Sequence, residues 1–135
     1  MIYKLKDLNS FSINIKIPCI AFLKGDLWAG KTTLSKHILN NLLSVKQEIT
    51  SPTYTYYNKY IWKIEDKEVP VYHFDLYRLQ NYEEFIAIWW EEVFDNNTWI
   101  IIVEWSELLK DYYKPDIKIA LKNLWKEDER DIEIF

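Results

Sequence analysis

The stretch GDLWAGKTT, residues 25–33, contains both glycines of this 135-residue chain. Average glycine usage of about 7% would give roughly nine glycines in a chain of this length. Glycine tolerates positive φ angles and lets the backbone approach a ligand closely. The stretch fits the pattern G-x-x-x-x-G-K-[ST], in which the backbone of a glycine-rich loop binds the phosphates of a nucleotide. The two glycines that the chain keeps therefore predict a phosphate-binding loop.

The residues on either side of this loop predict the strand and the helix that such a loop connects. Residues 17–23 form a short apolar run typical of a buried parallel strand, with Pro18 at its beginning, where a missing N–H costs least. After the loop, Leu34, Ile38 and Leu42 recur every four residues, which predicts one buried helix face. Such a helix directs its N-terminal N–H groups toward bound phosphates. A tight turn without a ligand is the alternative, and Lys31 with the following threonines disfavours it.

Length and composition indicate a single domain, residues 1–135, because the chain is long enough for one hydrophobic core and too short for two. Its apolar runs are much shorter than the roughly 20 residues of a membrane span, and its first residues lack the apolar stretch of a signal peptide. We therefore expect a cytoplasmic protein without membrane contact. The single cysteine, Cys19, falls in the predicted strand, where we expect it to pack in the core.

The charge balance bears on the class of partner. The formal net charge is −4 and the isoelectric point is near 5.2, which argues against a protein that by itself binds nucleic acid through the phosphates. We therefore expect any RNA to be handled by a partner.

The rest of the chain predicts further strands and short helices. Residues 53–64 and 69–77 are rich in aromatic and β-branched residues and predict a β-hairpin. Asn81 is a candidate N-cap for a largely apolar helix that runs to about Phe94. The remaining predictions are a buried strand at 98–103, a short helix capped by Ser106, and a final hairpin of residues 117–121 and 132–135. This order predicts an α/β fold of the P-loop NTPase type, with a mixed central sheet flanked by helices.

Two acidic residues follow predicted buried strands and are candidate ligands for the Mg²⁺ of a nucleotide. That ion takes oxygen ligands, typically a hydroxyl of the loop, phosphate oxygens, waters and a carboxylate at the end of a neighbouring strand. Asp75 and Glu104 both qualify. An acidic residue at a strand end is usually only solvated. The phosphate-binding loop favours Glu104 for the metal role.

Four motifs in this order resemble the TsaE family. They are GDLWAGKTT, TSPTYT at 50–55, YHFDLYRL at 72–79 and VEWSE at 103–107. The resemblance covers roughly residues 17–135. It implies a small bacterial ATPase that uses ATP and Mg²⁺. The family acts with TsaB and TsaD to make threonylcarbamoyladenosine beside the anticodon of tRNA, so the resemblance also implies these protein partners.

The resemblance implies roles for individual residues. Lys31 would hold the β- and γ-phosphates, while Thr32 and Glu104 would bind Mg²⁺. Thr53 would lie on a switch-like loop that senses the γ-phosphate, and Asp75 would position water or assist the metal. Asp75, Glu104 and Thr53 are thus the predicted catalytic residues. The other predicted nucleotide contacts are Gly25, Asp26, Leu27, Trp28, Ala29, Gly30, Thr33 and Arg130.

The chain departs from the family pattern at two places. The family usually has a third glycine where this chain has Trp28, and it usually has a helix before the first strand that carries a nucleotide contact. A positive φ at Trp28 would cost of order 1 to 3 kcal/mol. We therefore expect reduced nucleotide affinity.

Two other functions remain alternatives. The first is a small-molecule kinase, but such enzymes usually close an arginine-rich lid and this chain has only Arg78 and Arg130. The second is a scaffold that binds nucleotide without turnover, which the departure at Trp28 would favour. For the ATPase, we expect slow hydrolysis by the isolated chain, because a partner can supply part of the electrostatic stabilisation. The adjacent Trp89 and Trp90 cannot both face the core from one helix, so core packing and partner contact both stay open.

Overall fold

The computed structural model describes residues 1–26, 29–45, 56–88, 90–95, 99–126 and 128–135. Predictions for Leu27, Trp28, Thr53 and Trp89 lie outside these ranges, as do the motif at 50–55, the first residues of the hairpin predicted from 53 and the first residue of the strand predicted from 98. The roles expected for them stay predictions.

Seven strands and three α-helices form within the described ranges. The strands are β1 (Ile2–Lys4), β2 (Cys19–Lys24), β3 (Tyr57–Ile64), β4 (Lys67–Asp75), β5 (Ile100–Glu104), β6 (Ile117–Asn123) and β7 (Glu129–Ile134). The helices are α1 (Lys31–His37), α2 (Tyr82–Ala87) and α3 (Glu91–Asp95). A π-helical turn (Ile38–Leu42) continues α1, and a 3₁₀ turn (Ser106–Leu109) follows β5.

All seven strands belong to one sheet in the order β1-β7-β6-β2-β5-β4-β3. The four central strands, β6, β2, β5 and β4, are parallel, and the outer strands pair antiparallel. The carboxyl ends of the central strands therefore meet at one edge of the sheet, where the loop after β2 begins. The mixed sheet and both hairpins, β3–β4 and β6–β7, agree with the predictions from sequence.

The central strands are apolar because both of their faces are buried. Along β2, Ala21 and Leu23 pack on the side of α1, whereas Phe22 packs on the opposite side, with Phe85 and Phe94 of the helices that follow β4. All five residues of β5 are buried. Cys19 is also buried, as predicted. The sheet thus has one hydrophobic core on each face.

The first helix differs in detail from its prediction. Leu34 and Ile38 are buried as expected, but Leu42 is only partly buried, and Leu39 and Leu43 are buried instead. The change follows from the π-helical turn, in which Leu43 N–H donates to the carbonyl of Ile38 at 2.9 Å. That wider turn rotates the last residues relative to an ideal α-helix.

The helix predicted from residue 82 to Phe94 is wrong as a single element, because α2 and α3 are separate. Asn81 does cap α2, since its side chain accepts the N–H of Glu84 at 3.0 Å. Between the helices, Trp90 packs on Tyr57 of the sheet with ring centroids 4.3 Å apart. This packing supports the core role for Trp90.

The cap predicted at Ser106 is also wrong. Trp105 occupies the N-cap position of the 3₁₀ turn, with φ 56° and ψ 51°, and no side chain caps this described turn. Ser106 is buried as the first residue of the turn. β1 was not predicted, because its pairing with β7 joins opposite ends of the chain. None of the helices in the described ranges is long and apolar enough to span a membrane.

Candidate functional site

A cavity of about 450 Å³ opens at the carboxyl edge of the central strands. Its lining includes residues 29–33 of the loop and α1, together with Leu5, Asp75, Tyr77, Glu104, Trp105 and Arg130. The structure thus gathers eight predicted site residues around one cavity: Ala29, Gly30, Lys31, Thr32, Thr33, Asp75, Glu104 and Arg130. Gly25 and Asp26 lie beside them and contact Lys31.

The two glycines are required by the backbone at their positions. Gly30 has a φ of +100°, which side-chain-bearing residues rarely adopt, and a Cβ there would lie 2.7 Å from Cδ1 of Leu5. A Cβ at Gly25 would lie 2.8 Å from the carbonyl oxygen of Leu121, a backbone atom that cannot move aside cheaply. The positive φ at Gly30 and the close contacts at both positions explain why the chain has glycine there.

Lys31 is buried at the start of α1, with 5% of its surface exposed. Its Nζ donates to the carbonyl oxygens of Gly25 at 2.5 Å and Asp26 at 2.8 Å. The ammonium also lies 3.9 Å from the ring centroid of Trp105, a cation–π contact. Burial lowers the pKa of Lys31, and nearby carboxylates, with Glu104 the strongest, act in the opposite direction. A cation with few solvent contacts therefore faces the cavity.

Thr32 and Glu104 are joined directly. The Thr32 hydroxyl donates to Oε1 of Glu104 at 2.8 Å, which links α1 to the end of β5. Glu104 is only 1% exposed. A buried carboxylate needs hydrogen bonds or a counter-charge, and the hydroxyl supplies one such bond.

Asp75 lies beside Glu104, because the two residues are paired at the ends of the parallel strands β4 and β5. Its Oδ1 accepts the N–H of Tyr77 at 3.0 Å. Burial raises the pKa of Asp75; the bond from Tyr77 lowers it, and the negative charge of Glu104 raises it further. The two acids thus differ in their hydrogen-bond partners. Among the described residues, Glu104 accepts the hydroxyl of Thr32, whereas Asp75 accepts the N–H of Tyr77.

Arg130 reaches the loop from β7, which is separated from β2 by the strand β6. Its Nε donates to the carbonyl of Ala29 at 2.9 Å, and its Nη1 donates to the carbonyl of Glu129 at 2.8 Å. The side chain is 8% exposed and lines the cavity. Arg130 therefore stabilises the loop and adds positive charge at the predicted nucleotide position.

Sequence reasoning missed several residues of this site. His73 and Ser35 both lie within hydrogen-bonding distance of Glu104. Side chains alternate between the two faces of a strand, so His73, two positions before Asp75, could have been predicted to lie on the same face as Asp75. Residues three positions apart are neighbours on a helix, so Ser35 could have been predicted to lie beside Thr32. Leu5 reaches the cavity through the pairing of β1 with β7, for which the local sequence carries no signal.

The oxygen atoms at this site suit Mg²⁺. That ion is usually bound through one or two carboxylates together with phosphate oxygens and waters, and a threonine hydroxyl is a hard donor of the same kind. Within the described ranges, no group of three or more His, Cys, Asp or Glu side chains could hold a metal by itself. The hydroxyl of Thr32 and the carboxylate of Glu104 fit a metal that arrives with a nucleotide.

Comparison with known proteins agrees with this geometry. Residues 4–132 match the family described as "Threonylcarbamoyl adenosine biosynthesis protein TsaE". A relative from Rickettsia prowazekii, named "tRNA threonylcarbamoyladenosine biosynthesis protein TsaE", is 34% identical over 115 residues, which are 84% of this chain and 76% of the relative. A relative of the same name from Nostoc sp. is 39% identical over 119 residues, which are 85% of this chain and 68% of the relative.

The crystal structure of YdiB from Bacillus subtilis is similar to this fold, with a TM-score of 0.56 and 27% sequence identity. The match covers 87% of this chain and 68% of that one. The predicted α/β fold of the P-loop NTPase type, with its mixed central sheet, is confirmed. The chain belongs to the TsaE family, whose relatives are named for the biosynthesis of threonylcarbamoyladenosine in tRNA.

Proposed function

We propose that this chain, acting as one domain, is a Mg²⁺-dependent ATPase of the cytoplasm. It serves the threonylcarbamoyladenosine modification of tRNA beside the anticodon together with the protein partners TsaB and TsaD. One observation carries the ATPase assignment: the buried ammonium of Lys31 and the bonded pair Thr32–Glu104 line the same cavity at the carboxyl edge of the central strands. Family membership supports the pathway.

The cavity suits a nucleotide in size and charge. Its volume of about 450 Å³ falls in the usual range of small-molecule sites, roughly 300 to 1,000 Å³. Lys31 and Arg130 supply positive charge, and residues 29–33 frame one side. Polyphosphate would give the desolvated Lys31 ammonium an anionic partner in place of the two carbonyls it now contacts.

Thr32 and Glu104 are the residues that would hold Mg²⁺. When bound, the metal would neutralise charge on the phosphates and orient them. Asp75 would then orient the attacking water, because it lies beside Glu104 without sharing the bond to Thr32. Thr53 remains a proposed sensor of the γ-phosphate, and Leu27 and Trp28 remain proposed loop contacts.

Hydrolysis by this chain alone should be slow, because phosphoryl transfer relies on electrostatic stabilisation that a partner can complete. The partner assignment also fits the acidic balance of the chain. With 21 acidic residues against 17 basic ones, it has little attraction for tRNA by itself. We therefore propose that TsaB and TsaD bring the tRNA, and that this chain supplies the nucleotide-driven step.

Calorimetric titration with ATP in the presence of Mg²⁺ tests the site. The wild-type chain should bind ATP, and Lys31→Ala should weaken binding at least tenfold, because it removes the buried ammonium. Lys36→Ala is the matched control, since Lys36 is an exposed lysine on the same helix. Equal binding by wild type and Lys31→Ala would overturn the proposed site.

The reaction products separate the ATPase from its alternatives. The proposal expects ADP and inorganic phosphate when the chain is incubated with ATP, Mg²⁺ and its protein partners. A phosphorylated small molecule would identify a kinase instead. Tight ATP binding with no turnover under any of these conditions would identify a scaffold.

A further inference from the structure

His73 lies near the carboxyl end of β4, two residues before Asp75, and is fully buried, with 0% of its surface exposed. Its Nε2 is 2.5 Å from Oε2 of Glu104. The other ring nitrogen, Nδ1, is buried and has no hydrogen-bond partner among the described residues. A buried histidine held through one nitrogen needs an explanation, because unpartnered buried polar atoms cost free energy.

The two carboxylate oxygens of Glu104 have different partners. Oε2 contacts Nε2 of His73 and, at 3.4 Å, the hydroxyl of Ser35. Oε1 accepts the hydroxyl of Thr32. The Ser35 hydroxyl is also bonded to the carbonyl of Lys31 at 2.9 Å, so its contact with Glu104 is the longer of its two. His73 is therefore the nearest partner of Oε2.

The surroundings of His73 determine which of its nitrogens carries the proton. A neutral imidazole has one N–H donor and one acceptor. A proton on Nδ1 would be a buried donor with no acceptor, whereas a proton on Nε2 is donated to the carboxylate of Glu104. The geometry therefore favours a proton on Nε2, where it is donated to Glu104.

We propose that His73 is a positioning residue for metal binding. By donating to Oε2, it fixes the rotation of the Glu104 carboxylate so that Oε1 stays at Thr32, where the proposed Mg²⁺ is held. Groups that orient metal ligands in this way typically change metal affinity by 10- to 100-fold when they are removed. The inference rests on the proposed function, since it assigns a task to His73 at the same metal site.

Two substitutions with side chains of similar length separate the effect of the hydrogen bond that His73 donates from the effect of its packing. His73→Gln can place an amide N–H near the position of Nε2, whereas His73→Met fills similar space without a donor. The measurement is the Mg²⁺ concentration that gives half-maximal tightening of ADP binding, followed by calorimetry. We expect a 10- to 100-fold rise for His73→Met and a smaller rise for His73→Gln. His37→Gln is the control, because His37 contacts Phe11 and Asn41 away from the site.

The outcomes distinguish this inference from the proposed function. A wild-type chain that shows no Mg²⁺-dependent ADP binding overturns both. A wild-type chain that binds Mg²⁺ and ADP, with an unchanged Mg²⁺ midpoint in a folded His73→Met variant, overturns the inference alone.

Nitrogen NMR of the imidazole provides a readout that needs no folded methionine variant. The chain has two histidines, so the His37→Gln variant leaves His73 as the only imidazole. Its ¹⁵N shifts should show a proton on Nε2. A ring whose only proton is on Nδ1 would overturn the proposal, because Nε2 could not then donate to Glu104.

Discussion

The hydroxyl of Thr32 donates to Oε1 of Glu104 across 2.8 Å, although the two residues are 72 positions apart in the chain. Parallel pairing of β2 with β5 brings this about, because it aligns Leu23 with Glu104 just before the loop begins. A hydroxyl and a carboxylate thus already lie together where a metal bound to phosphate would need them.

Glu104→Gln removes the negative charge and keeps the shape of the side chain. We expect Mg²⁺-dependent ATP turnover to fall by about two orders of magnitude or more, because the charge that would hold the metal is lost. Nucleotide binding should survive in part, since Lys31 is unchanged. Turnover assays and ATP titrations of the variant measure the two effects separately. Normal turnover would transfer the proposed metal role to Asp75.

Asp75→Asn should stabilise the fold while it impairs turnover. Burial raises the pKa of Asp75, so the folded state holds the proton more tightly than the unfolded state does. At low pH Asp75 is protonated in both the folded and the unfolded state, so burial of the carboxyl carries no charge penalty. As pH rises through the raised pKa of the folded state, the buried carboxylate becomes charged and the free energy of unfolding of the wild-type protein falls. Asparagine has no charge to bury and can still accept the N–H of Tyr77.

The check on Asp75 is thermal unfolding of both proteins across pH. The variant should have the higher melting temperature at pH 7, and its advantage should shrink toward pH 3. A variant that is less stable than wild type at pH 7 would show that the carboxylate is stabilised in the fold.

Gly30→Ala should destabilise the protein by about 1 to 3 kcal/mol, because alanine is strained at the positive φ of this position. The new Cβ would also contact the side chain of Leu5. Denaturant unfolding of Gly30→Ala, Leu5→Ala and the double variant separates the two causes. Leu5→Ala should relieve the contact and leave the backbone strain. Wild-type stability in Gly30→Ala would contradict the assigned backbone role.

Cys19 should make the fold sensitive to alkaline pH. Burial raises the pKa of the Cys19 thiol from 9.0 to about 11, with a smaller effect from the negative charge of Asp116. The unfolded chain loses its thiol proton above pH 9, whereas the folded chain keeps it, so stability falls as pH rises from 9 to 11. The full shift corresponds to about 3 kcal/mol.

Comparison with Cys19→Ala isolates this effect, because the other groups that titrate at high pH are common to both proteins. The free energy of unfolding should fall more steeply for wild type than for the variant between pH 8 and pH 10.5. Parallel curves would show that the thiol does not contribute.

The parts of the fold that local pattern encodes could be predicted from the sequence. The spacing of Gly25 and Gly30 identifies the loop, and the apolar runs beside it identify β2 and α1. The break between α2 and α3 could not be predicted, since it depends on where Trp90 packs against the sheet. The left-handed backbone of Trp105 and the strand β1 also depend on contacts distant in sequence.

The candidate site follows the same division. Thr32, Asp75 and Glu104 could be placed together because the carboxyl ends of neighbouring parallel strands share one edge of the sheet. The particular bond from Thr32 to Oε1, and the contact of His73 with Oε2, required the structure. The alternation of side chains along β4 predicts that His73 lies on the same face as Asp75, but it does not predict that His73 contacts Glu104.

The most direct test of the account is the rate of ATP hydrolysis by this chain with Mg²⁺, alone and with TsaB and TsaD, for wild type and Lys31→Ala. We expect slow hydrolysis by the wild-type chain alone and faster hydrolysis with the partners, because the partners complete the electrostatic stabilisation. Lys31→Ala should stay at background in both conditions while it remains folded. Partner-dependent hydrolysis by Lys31→Ala at the wild-type rate would contradict the account.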